Sequence, residues 1–261
     1  MSARRVIAAC CAAVATSLLP PAAAAELSLE QLKERLGAAS AAAPADLAGK
    51  DLSDLDLSGL DLRHATLEGA SLFGAKLVNC DLRGSNLRKA NLNGAWLMGA
   101  NFSGADLTGA SLLSVVVLGG EVKTRPTFTG ARMRGVRMIA DLPKVDLAGA
   151  DLSEARIGVN IRNQGMGQMR TDLSSANLAG VNLAGADLNR SLMTFANLRG
   201  SNLRGANFLL VKLAGADLSG ADVTGADFSE ADMDGVVLRD VKGLDQAKGL
   251  DRAQNVDRTV R

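Results

Sequence analysis

From Ala45 onward an apolar residue returns at every fifth position: Leu47, Leu52, Leu57, Leu62, Leu67, Leu72, Leu77, Leu82, Leu87, Leu92, Leu97, Phe102, Leu107 and Leu112. Neither regular element has this period. On a helix these residues would spread around the circumference, and on a flat strand successive ones would point to opposite faces. A chain that turns a corner every five residues brings them all inward, and stacking of the resulting coils buries them, as in a solenoid. The rest of the unit agrees. With the central apolar residue taken as i, position i−2 is small and mostly Ala, i−1 is mainly Asp or Asn, and i+2 is very often Gly. Ala and Leu then fill the interior. Asp and Asn supply side-chain-to-backbone hydrogen bonds, and Gly the dihedrals that closely spaced turns need.

The unit Ala-(Asp/Asn)-Leu-x-x, seen as Ala105-Asp106-Leu107-Thr108-Gly109 and Ala186-Asp187-Leu188-Asn189-Arg190, resembles the pentapeptide repeat family over nearly all of residues 45–240. The resemblance implies an all-β fold, a right-handed quadrilateral β-helix with one pentapeptide to a side. It says less about task, because family members share the coil more than the function. It also implies one specific alternative, since some members mimic DNA and protect type II topoisomerases, helped by a strongly negative rod and sometimes by projecting loops.

The register is interrupted twice. The first block reads from Leu47 to Val122; Phe128 follows six residues on, then Met133 and Met138, and Leu142 arrives after four. A one-residue bulge and a one-residue deletion near 123–142 would restore the phase for Leu147, Leu152 and Ile157. From Gly158 to Arg170 no apolar centre survives at this spacing, and the segment 158–170 is expected to protrude as a loop, either functional or a tolerated insertion. Leu173 to Leu238 is regular again, with Phe208, Val223, Phe228 and Met233 in place of Leu.

Both ends carry different patterns. Residues 1–25 read as a signal peptide: a basic start at Arg4 and Arg5, an apolar stretch from Val6 to Leu19, and an Ala-x-Ala site that places cleavage after Ala25 and the protein in the periplasm or outside the cell. Ile7-Ala8-Ala9-Cys10 offers a lipobox alternative with few apolar residues before it. In 26–44, Ser28 and Gln31 have capping-box spacing, and Leu29, Leu32 and Leu36 share a helical face that Gly37 can end. That helix is expected to lid the first coil, with Ala38 to Pro44 as linker. Residues 241–261 contain a near-duplication, Gly243 to Lys248 and Gly249 to Gln254, that either caps the last coil or pairs with another subunit.

Composition narrows the function. With 28 glycines, five prolines and no tyrosine, the 47% hydrophobic content suits a thin Ala/Leu core, and beyond the N-terminus no apolar run reaches the length of a spanning helix. Loss of residues 1–25 leaves 27 basic and 28 acidic side chains. A net charge of about −1 disfavours both a polyanion binder and a strongly negative mimic. Cys80 is then the one cysteine left, at an i−2 position suited to a small buried side chain. The single histidine, His64, faces outward at i+2 without triad or metal partners, and the i−1 carboxylates serve the turns. No catalytic, cofactor-binding or metal-binding residue emerges, and a non-enzymatic protein is expected. Arg63 and Arg83 stack at i+1 as a solvated edge.

One surface feature stands out once the first block is folded at twenty residues per coil. Val78, Met98 and Leu118 then stack at i+1 on one side, with Trp96 and Val116 beside them at i−1 and Phe73 and Leu113 on the neighbouring side. Large apolar residues at otherwise polar positions mark a protein-binding patch, unless the bulge or the 158–170 loop folds over it. The expected function is an exported interaction or structural scaffold for a protein partner or a second copy.

Overall fold

The computed structural model describes residues 29–117, 124–159 and 170–261. The chain is a four-sided all-β solenoid. Successive coils pair in parallel through the i−1 residues, as in Asp51↔Ser71, Asn86↔Asp106 and Asn202↔Asp222. Because the chain turns after every side, most sides contribute only one bridge. Two pairs reach the length of strands: β1 (Ala45–Asp46) with β2 (Ala65–Thr66), and β3 (Ser111–Leu113) with β4 (Arg137–Ile139).

Each pentapeptide satisfies its backbone in a repeated way. Leu87 N donates to the Asp106 carbonyl of the next coil at 2.7 Å, Lys89 N to that of Thr108 at 2.9 Å, and Ala90 N closes the corner on the Leu87 carbonyl at 3.0 Å. The third residue of that four-residue turn has positive φ, the type II signature that favours glycine, as at Gly109 (φ 70°). The i−1 carboxylate braces the same corner: Asp106 Oδ1 accepts from Thr108 N at 3.0 Å and from the Thr108 hydroxyl at 2.6 Å. Asp and Asn at i−1 are thus structural in the first instance.

The interior holds the i and i−2 residues. Leu87, Ala95, Leu97 and Ala105 are fully buried, and Phe102 stacks on Phe128 as Phe208 does on Phe228. Where serine replaces alanine at i−2, its hydroxyl is satisfied locally: Ser85, Ser191 and Ser201 each donate to the preceding apolar centre's carbonyl at 2.7 Å. Both ends of the core are covered. Helix α1 (Leu29–Gly37) buries Leu32 completely and packs Leu29 and Leu36 against the core, as do Leu55 and Leu60, large residues standing where the next coil carries Ala75 and Cys80.

At the other end 241–261 forms a further coil with longer sides. Lys242, Lys248, Gln254 and Val260 pair with Asp222, Asp227, Asp232 and Val237, a step of six residues. Gly243, Gly249 and Asn255 take left-handed conformations at the places of the apolar centres. Leu244, Leu250 and Val256, one residue later, pack against the exposed end of the core.

The interruptions differ from the sequence reading. Asn101 pairs with Thr127 and Asp106 with Arg132, so Phe128 occupies the side of Phe102 and Met133 that of Leu107. Val122, read as the last centre of the first block, lies outside the described residues. The extra residues are a block of six between Val117 and Thr124, outside the described residues, rather than a one-residue bulge. The single deletion between Met138 and Leu142 stands, because Thr127 pairs with Asp146 at one residue less than the usual step. At the second interruption Gly158 and Val159 still follow the coil. Gly158 N donates to the Asp187 carbonyl at 2.8 Å and Val159 is buried. Residues 160–169 of the expected loop lie outside the described residues. The coil resumes at Thr171, fully buried, whose hydroxyl lies 2.9 Å from the Ile157 carbonyl and 3.1 Å from that of Met138.

Candidate interaction surface

The solenoid sorts its outward residues into columns, one residue per coil. With the side centred on Leu47 counted as the first and that on Leu52 as the second, Lys76, Trp96 and Val116 pair in series on the third side. On the second side Phe73, Asn93, Leu113 and Ile139 follow one another, Gly74 N donating to the Asn93 carbonyl, Gly94 N to that of Leu113 and Ser114 N to that of Ile139. Phe73 is 51% exposed and Trp96 41%, while Val78, Leu113 and Val116 are half-buried. The structure thus brings five of the expected patch residues onto two adjoining sides. Met98 is the exception. It is buried at 4% and cannot present a free surface. The chain returns beside it, Gly99 N donating to the Thr124 carbonyl at 2.8 Å. Leu118 lies outside the described residues.

Polar groups hold this surface in place. Asn93 Oδ1 accepts from the Ser111 hydroxyl at 2.7 Å and from Leu113 N at 2.9 Å, pinning Leu113 to the coil before it. Lys76, next to Trp96, pairs with Asp56 at 3.5 Å. Two further apolar residues escaped the sequence reading. Ile139 completes the β3–β4 pairing opposite Leu113, and Phe195, 70% exposed with φ 56°, lies across Gly215. A large residue at i+2, where Gly is usual, was the available signal for Phe195. Ile139 gave none, since its neighbour across the coil depends on the six-residue insertion.

Elsewhere the chemistry is structural. Arg63 binds Asp61 through Nη2 at 2.6 Å and Arg83 binds Asp81 in the same way, so these arginines are internally neutralised. His64 and Arg63 line an open cleft of about 270 Å³ between the linker and the first coils, together with Ser40, Pro44 and Asn86. Burial pushes the Cys80 thiol up to about 11, and its Sγ lies 2.9 Å from the Leu57 carbonyl, which suits a core residue and not a nucleophile. Among the described residues no group of His, Cys, Asp and Glu is arranged to hold a metal ion, and no helix is long and apolar enough to cross a membrane.

The model of the family described as pentapeptide repeats matches in eight copies over residues 45–72, 67–104, 75–112, 171–208 and 211–242. The chain belongs to the pentapeptide repeat family. Among solved structures, this pentapeptide repeat protein is similar to HetL, a family member involved in heterocyst differentiation regulation in the cyanobacterium Nostoc sp. strain PCC 7120. The two are 28% identical over 90% of this chain and 100% of HetL, with a TM-score of 0.41. It is also similar to QnrB1, a plasmid-mediated fluoroquinolone resistance protein, at 19% identity over 76% of this chain and 90% of that one, TM-score 0.34. A pentapeptide repeat protein of the Arabidopsis thaliana thylakoid lumen is 19% identical over 72% and 71% of the two chains, TM-score 0.25. No curated protein matches the chain.

Proposed function

We propose that this pentapeptide repeat protein is an exported, non-enzymatic scaffold that binds a protein partner through the surface around Phe73 and Trp96. The supporting observation is the exposure of these two aromatics, 51% and 41%, on adjoining sides of neighbouring coils whose other outward positions are mostly polar or glycine. Aromatic residues with half-buried aliphatic neighbours are the usual anchors of protein interfaces. Export rests on the pattern of residues 1–25. The topoisomerase-protecting alternative has less support, because a mature charge of about −1 is a poor imitation of a nucleic acid.

The test pairs cell fractionation with two variants. Phe73→Ser with Trp96→Ser should leave stability within about 1 kcal/mol and abolish cross-linking to the partner from a photoreactive group placed at position 78. Unchanged cross-linking, or a protein found only in the cytosol, would reject the reading. Met98→Ser, by contrast, should destabilise the coil.

A further inference from the structure

Charges on successive coils follow a pairing rule over much of the rod. Lys76 meets Asp56, Arg199 meets Asp217, Arg204 meets Asp222 and Lys212 meets Asp232, each on an adjacent coil of the same side. Asp106 sits between Arg88 and Arg132. The second side breaks the rule at one place. Arg137 and Arg156 stand in register on adjacent coils, Met138 N donating to the Arg156 carbonyl at 3.0 Å and Arg156 N to the Val136 carbonyl at 2.8 Å. Both side chains are exposed, and among the described residues neither has an ion-pair partner.

The acids around them are already committed. Asp106 serves Arg88 and Arg132, and Glu154 binds Arg134 at 2.7 Å. Asp187, which pairs with Arg156 from the next coil, accepts hydrogen bonds from Asn189 and Asn207 at 2.9 Å. Like charges directly opposite one another on a sheet are destabilising; Arg156 has Asp187 in register on its far side, but Arg137 has the neutral Ser111 there and nothing that offsets the repulsion. Neighbouring coils stand about 4.8 Å apart, close enough for two guanidinium forks to converge on one carboxylate group or on two in succession.

An apolar shoulder adjoins the pair. Leu113 and Ile139 are in register and half-buried beside it, while the place at Gly158, next to Arg156, is filled by Asn189 from the following coil. We propose that Arg137 and Arg156 dock an acidic segment of a protein partner, with its carboxylates on the two guanidiniums and an apolar side chain on Leu113 and Ile139. A free oxyanion or a lipid headgroup would have no use for that shoulder. The apolar half shares Leu113 with the surface proposed above and rests on that reading; the charged half does not.

The test uses the full chain and a labelled, end-blocked hexapeptide of two leucines and four glutamates, followed by fluorescence anisotropy at low salt. Arg137→Glu and Arg156→Glu should each weaken binding by about tenfold or more. The charge-matched control Arg239→Glu, an exposed residue on another side, should change it by less than about twofold. Arg137→Gln should also raise the melting temperature by about 1–3 °C, since Arg137 stands between Arg156 and the neutral Ser111 and its loss relieves the repulsion; a residue with a purely structural role would lower it. Equal losses in all three charge reversals, absence of binding to the parent chain, or displacement of the peptide by equimolar inorganic phosphate would overturn the proposal. Trp96→Ser separates the two readings. Peptide affinity retained in that variant keeps the arginine site standing even where capture through Trp96 fails, and affinity lost in it places the peptide on Trp96 and rejects the site.

Discussion

The rings of Phe102 and Phe128 stack with centroids 4.9 Å apart and planes 9° apart, which puts these two residues on the same side of successive coils. The regular step between such residues is twenty, as from Asp51 to Ser71. The stack therefore measures the insertion: six residues are skipped between Val117 and Thr124, and the core continues as though they were not there.

Deleting residues 118–123 should accordingly leave a regular pentapeptide, with Val117 and Phe128 five positions apart and the buried Pro126 at i−2. The shortened chain should melt cooperatively within a few degrees of the parent by circular dichroism, as loop shortening costs little when the flanking register is kept. Deleting only 118–121 should be tolerated as well, whereas removing residue 127 with 128 should abolish folding. Loss of cooperative melting in the six-residue deletion would mean that the deleted residues contribute to the core.

Acid should weaken the rod in a defined window. Hydrogen bonding to the Arg63 guanidinium holds the Asp61 carboxyl at about 2, and the Thr224 hydroxyl and backbone N–H hold that of Asp222 at about 2, against an ordinary value of 3.8. Both groups are more acidic folded than unfolded, so as pH falls the unfolded chain takes up protons first. Their stabilisation is complete above about pH 5 and is lost as pH drops from about 4 through about 2. Melting temperatures should fall across that range. In Thr224→Val the Asp222 carboxyl, followed by NMR, should titrate closer to its ordinary value; an unmoved midpoint would show that the hydroxyl is not its main support.

Removing residues 241–261 should convert the protein into a self-associating species. The last coil places Leu244, Leu250 and Val256 over the core and pairs with the coil carrying Asp222, Asp227, Asp232 and Val237. Without it that coil presents unpaired backbone groups and an apolar cross-section, a ready template for another chain. Light scattering should show dimers or larger assemblies for the truncated form. A monomer of unchanged melting temperature would mean that the coil is dispensable for closing the rod.

The local unit was legible because everything that makes it is local. Leu87 at the centre, Ala90 at the next i−2 and Asp106 bracing Thr108 are each dictated by a turn that closes within four residues, and the five-residue period follows from repeating that turn. The apolar character of Phe73 and Trp96 at outward positions was legible for the same reason. What stacks on what is a different kind of information. Whether Met98 lies open or covered, whether Ile139 faces Leu113, and whether Arg137 meets an acid or another arginine all depend on how many residues the chain skips between coils. Nothing in a five-residue pattern records that count. The period alone thus determined the side of each residue within its own coil, while the tertiary structure decided its neighbours along the rod, because pairing between coils is settled by burial of Phe128 on Phe102 and by backbone bonds spanning twenty or more residues.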